Sequence, residues 1–117
     1  MRHAGPATLE RIAPLLEALR ARPALRERRP GVFSLGARAF LHFHDDPAGV
    51  FADVRLAEGF VRQRVSTAAE QAELLGRIDD CLAAVEARAA SRARRDKHGR
   101  RAQRARRIHG EADGADR

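Results

Sequence analysis

The residues best suited to chemistry are His42, His44 and Asp53. The two histidines lie in Arg38–His44, where Ala39, Leu41 and Phe43 alternate with Phe40, His42 and His44. A period of two marks a strand, so both imidazoles leave one face, about 7 Å apart along the chain. Asp45-Asp46-Pro47-Ala48-Gly49 supplies the residue types of a hairpin loop. Closed as a four-residue loop at Gly49, it sets His42 opposite Asp53 and Leu41 opposite Val54, which keeps apolar with apolar. Two imidazoles and a carboxylate are the minimum for a three-ligand divalent-metal site with open positions, the kind a metal-dependent enzyme uses. The plainer reading is a solvated face on which His42 and Asp53 share a hydrogen bond. Asp45 and Asp46 fit a turn better than acid–base work, because Asp at a loop start accepts from its own backbone two residues on. G-x-S-x-G, the P-loop and G-x-G-x-x-G are missing. Cys81 falls on an apolar stripe and is not offered as a nucleophile.

A second group of residues acts through charge alone. Residues 1–87 hold twelve Arg and twelve Asp or Glu, whereas 88–117 hold eleven Lys or Arg against four acids, so the whole net charge of +7 belongs to the latter. Arg92, Arg94, Arg95, Lys97, Arg100, Arg101, Arg104, Arg106 and Arg107 form a block able to bind polyanions by releasing their counterions. Nucleic acid is the partner this implies, although the block holds no aromatic side chain to stack on bases. A solvated low-complexity tail is the alternative, since Arg and Ala are abundant throughout.

These residues need elements to hold them, and 117 residues suffice for one core. With five Phe, no Trp and no Tyr, that core is largely aliphatic. Apolar runs fall far short of the ~20 residues that cross a bilayer, so no membrane partner is expected. Met1–Pro6 lacks the apolar region of a signal peptide, and a single cysteine suits a reducing compartment, so the cytoplasm is the expected location.

Thr8–Arg22 carries Leu9, Ile12, Leu16 and Leu19 at helical spacing, with Pro14 either starting the firm helix near Ala13 or kinking it. Pro23–Arg29 reads as one further turn anchored by Leu25. Strands follow at Val32–Leu35, Arg38–His44, Val50–Leu56 and Phe60–Val65, joined by loops too short for anything but an antiparallel meander. Thr67 and Glu70 form a capping box, and Leu74, Leu75, Ile78, Cys81, Leu82 and Val85 continue a helix to about Arg95. Gly76 within it suggests close packing against the sheet. The expected fold is α+β in two layers: helix, four-stranded antiparallel meander, helix, with a basic C-terminal tail. Residues 1–95 form one domain and 96–117 a disordered Arg-rich tail. The expected core is Leu16, Leu19, Leu41, Phe43, Val54, Leu56, Leu75, Ile78, Leu82 and Val85. The sheet's outer face would then offer Phe40, Phe51, His42, His44 and Arg55 to a homodimer or protein partner.

Gly31-Val32-Phe33-Ser34-Leu35-Gly36, then Leu41-His42-Phe43-His44-Asp45-Asp46, then Asp53-Val54, resemble the small bacterial proteins grouped as a luciferase-like domain family. The resemblance spans about residues 30–85 and implies a small binding or interaction module, without implying light emission. Asp45 stands where that family commonly has Gly, and Phe60 stands nearest its final-strand aromatic. The order of elements also resembles the MmcQ/YjbR group, compact α+β domains to which DNA binding is attributed. The functional expectation is therefore a binding module, with a nucleic-acid-binding protein and a metal-dependent enzyme as alternatives.

Overall fold

The computed structural model describes the backbone of residues 2–57 and 59–115, and side chains through Arg101 apart from that of residue 58. The chain divides into two units, Met1–Leu82 and Ala83–Arg117. In chain order the elements are β1 (Arg2–His3), α1 (Pro6–Arg11), α2 (Ala13–Arg20), β2 (Leu25–Arg29), β3 (Val32–Leu35), β4 (Arg38–Asp46), β5 (Gly49–Leu56), β6 (Gly59–Arg64) and α3 (Ala68–Ala115). The α+β expectation holds. No helix among the described residues is long and apolar enough to cross a membrane.

Pro14 acts as its chemistry requires. It sits in the first turn of α2, where its missing N–H is no loss, and the chain breaks at Ile12 between α1 and α2. The four expected strands are present, and the antiparallel sheet runs in the order β2-β3-β4-β5-β6. Two strands were not expected. Leu25–Arg29 is β2, not a helical turn: it pairs Leu25 with Leu35 and Glu27 with Phe33. Its four charged residues carry no β-branched signal, and only the burial of Leu25 betrays the period of two. β1 pairs with the far half of β4, Arg2 opposite Asp45 and His3 opposite His44. β3 covers the near half of the same edge, from Arg38 to Leu41.

The β4–β5 register is the expected one, Leu41 opposite Val54 and His42 opposite Asp53. It is fixed by a two-residue loop, because Asp46 pairs with Gly49. The Ala48 N–H donates to Asp46 Oδ1 at 2.9 Å, which gives Asp46 its turn role. Gly49 has φ +135°, and a Cβ there would lie 2.4 Å from Ser66 Oγ, so glycine alone fits. Ser66 Oγ in turn accepts from the Val50 N–H at 2.8 Å.

Ile12, Leu15, Leu16 and Leu19 of the first helices, the inner residues of the strands and Leu74 and Ile78 of α3 form one cluster. Of the expected core, Leu16, Leu19, Leu41, Phe43, Val54 and Ile78 are buried; Leu56, Leu75 and Leu82 pack against them partly buried, and Val85 is half-buried in the second unit. Arg22 ties α2 to α3 by a two-pronged bond to Asp79, at 2.7 and 2.8 Å. Phe40 departs from the expected alternation: it is buried in the core. The β3–β4 register shifts between Phe33 and Ser34, which leaves Phe40 unopposed. At such a bulge an extra residue can turn to the same side as its neighbour.

The capping box of α3 closes in both directions: Thr67 N–H donates to Glu70 Oε1 at 3.0 Å and Glu70 N–H to Thr67 Oγ1 at 3.1 Å. Gly76 does not mark close packing; it is exposed, with nothing within 4 Å of the place a Cβ would take. Helix α3 continues past Arg95 to Ala115. The expected disorder of 96–117 falls mostly on residues whose side chains lie outside the described ones.

Candidate metal centre

Antiparallel pairing puts opposed residues on the same face. Two cross-strand rows therefore stand side by side on the sheet face opposite the core. One is His42 on β4, Asp53 on β5 and Arg62 on β6; the other is His3 on β1, His44 on β4, Phe51 on β5 and Arg64 on β6. The β4–β5 and β5–β6 hairpins set the rows, which are two residues apart on β4, β5 and β6.

Asp53 is the hub. Its side chain is only 12 % exposed, and burial of a charged carboxylate requires partners. Arg62 supplies them as a fork, Nε to Oδ1 at 2.7 Å and Nη2 to Oδ2 at 2.9 Å. These bonds outweigh burial and, helped by the nearby His44 and His42, hold the Asp53 carboxyl down at about 2. His44 Nε2 lies 2.8 Å and His42 Nε2 3.3 Å from the same Oδ2. Despite its closeness, His44 Nε2 is buried without a hydrogen-bond partner among the described residues.

The donor atoms of His42, His44 and Asp53 all fall within 4.8 Å of one another. Around a Zn²⁺ ion with bonds near 2.0–2.1 Å, neighbouring tetrahedral donors are separated by about 3.3 Å, and octahedral ones by about 2.9 Å. The two nitrogen-to-carboxylate distances, 2.8 and 3.3 Å, match those edges, whereas the widest separation in the group, 4.8 Å, is longer than either edge and has to close when an ion binds. Burial pushes the His42 imidazole below its ordinary value, with His44 and His3 adding to the effect against the pull of Asp53. Burial thus favours the neutral ring, the state that ligates metal.

The sequence brought together His42, His44 and Asp53 correctly but passed over two neighbours. Arg62 was legible in principle, as the residue opposite Asp53 once a β5–β6 hairpin is drawn. His3 was not, because no spacing links it to β4. Its ring centroid lies 5.0 Å from that of His44 and 6.0 Å from that of His42.

The outer face is less apolar than expected. With Phe40 in the core and Phe51 half-buried, the exposed aromatic there is Phe60, 45 % exposed. Arg55 lies over its ring at 4.6 Å, and His42 meets it edge-on at 5.6 Å. In the second unit, Arg92, Arg94, Arg95, Lys97, Arg100 and Arg101 are all exposed on α3. None of the six forms an ion pair among the described residues; Arg95 donates to Ser91 Oγ at 3.1 Å. The side chains of Arg104, Arg106 and Arg107 lie outside the described residues. No family model, curated protein or solved structure matches the chain.

Proposed function

We propose that this protein is a small binding module whose ligand is a divalent first-row transition metal, held by His42, His44 and Asp53 with coordination positions left open on the outer sheet face. The observation that carries the reading is the convergence of two imidazole nitrogens on one carboxylate oxygen, at 2.8 and 3.3 Å. Imidazole-rich donors select Zn, Cu, Ni or Fe over Mg or Ca. Arg62 occupies the carboxylate without the metal. Its side chain is 51 % exposed, so Nη2 can leave Oδ2 to an incoming cation while Nε keeps Oδ1 and orients the carboxylate. Protein purified without an affinity tag should take up Zn²⁺ at one per chain in titration calorimetry. His44→Ala and Asp53→Asn should each weaken that uptake by at least about tenfold. Absence of stoichiometric uptake by the unaltered protein refutes the reading.

A second reading concerns the other unit and has its own support. Six exposed cations between Arg92 and Arg101 ride on one helix, while residues 1–87 carry no net charge. Such a helix suits contact with the phosphates of nucleic acid, without sequence preference and with strong salt dependence.

A further inference from the structure

Building on the metal reading, we infer that His3 is a further metal ligand, so that the centre is three imidazoles and one carboxylate and the metal fastens β1 to the sheet. The placement follows from strand pairing. His3 is directly opposite His44, hence on its face, and the Ala4 N–H donates to Phe43 O at 3.1 Å to hold that register. The spacing of the rings is that of imidazoles sharing one ion. A metal bonded to an imidazole nitrogen at about 2.0–2.1 Å lies about 3.2 Å from the ring centre, so two neighbouring ligands have centroids about 4.5–5.2 Å apart. The observed separations are 4.8 Å for His42 and His44, 5.0 Å for His3 and His44, and 6.0 Å for His3 and His42. His3 stands outside the group whose donor atoms already lie within 4.8 Å, so its ring has to turn to bring a nitrogen in, and its exposed position leaves it free to do so. The neighbouring hydrogen-bond pattern leaves a donor atom for the ion to take up: His44 Nε2 is buried without a hydrogen-bond partner among the described residues.

A two-residue strand is a weak hold on its own. A ligand on β1 converts metal binding into closure of that strand, and the site assembles only when the segment before α1 lies on β4.

The test compares the full chain with His3→Ala, whose exposed position leaves the core untouched, using Zn²⁺ calorimetry and pulsed electron paramagnetic resonance of the Cu²⁺-loaded proteins. The expected result is a Zn²⁺ affinity at least about tenfold weaker in His3→Ala, with the coordinated imidazoles falling from three to two. Hydrogen exchange at the Ala4 amide should slow on Zn²⁺ addition in the unaltered chain and not in the variant. Equal affinity and an equal imidazole count in both proteins overturn the assignment of His3 while leaving the His42–His44–Asp53 site intact. No binding by the unaltered chain overturns both.

Discussion

The two units of this chain handle charge in opposite ways. In Met1–Leu82, five of the twelve arginines are paired, among the described residues, with acids that the fold brings near: Arg11 with Asp45, Arg20 with Glu27, Arg22 with Asp79, Arg62 with Asp53 and Arg64 with Glu70. Each of these pairs joins two different elements, or an element and the loop that follows another, so all depend on tertiary structure. In Ala83–Arg117 the cations from Arg92 to Arg101 follow one another along a helix and have no ion pair among the described residues. The same residue type thus serves as a fastener in one unit and as a bare electrostatic surface in the other. What separates them is the supply of apolar residues: the first unit folds back on a core and brings acids to its arginines, and the second has no buried side chain among the described residues with which to do so.

The strongest way to break this contrast is through packing. Phe33→Ala, in the middle of the core, should destabilise the protein by about 3–5 kcal/mol. Ala93→Ser, at an exposed position of α3, should change stability by less than about 0.5 kcal/mol. Urea denaturation followed by circular dichroism measures both, and equal effects would end the distinction between a packed and an unpacked unit. Next comes the electrostatic surface. Replacing Arg92, Arg94, Arg95, Lys97, Arg100 and Arg101 together with Gln should weaken binding to generic duplex DNA at low salt by about a hundredfold or more and flatten the log–log salt dependence. Unchanged binding would show that these six cations are not the contact surface.

A smaller effect sharpens the role of Asp53. Its carboxyl is held at about 2, below the ordinary 3.8, so the unfolded chain binds the proton more readily than the folded one between those values. The stabilisation is therefore complete above about pH 4 and is lost as pH falls through 2. After allowance for the screening of half-exposed Arg62, it amounts to about 1–2 kcal/mol. Asp53→Asn should remove that share of the acid sensitivity, which denaturant titrations between pH 2 and 6 would reveal as a shallower slope. The smallest change is a gain. Gly76 is exposed with room for a methyl group, and Gly76→Ala should raise stability by about 1 kcal/mol.

Local rules made much of the fold legible. Alternation gave β4 and β5, the Asp46–Gly49 loop gave their register, and Thr67 with Glu70 gave the start of α3. The departures have physical causes that local patterns do not carry. Leu25–Arg29 becomes a strand because β3 offers it an edge, not through its own propensities. Phe40 is inside because a register shift in the neighbouring pairing interrupts the period of two. The candidate site divides in the same way: His42, His44 and Asp53 lie on adjoining strands and are accessible to pattern, whereas His3 reaches them through a pairing across some forty positions of sequence.

That pairing bears on how the protein assembles. Strands β2 to β6 are joined in sequence order, each to its neighbour, so every closure among them spans a short loop and can propagate like a zipper. β1 is the exception: docking Arg2 and His3 on Asp45 and His44 closes a long segment and costs more chain entropy than any hairpin step. In return it forms two pairs. Loop-closure cost of this kind delays a contact, so β1 arrives on a meander already formed, and of all the strands it is the first to leave when the native state breathes.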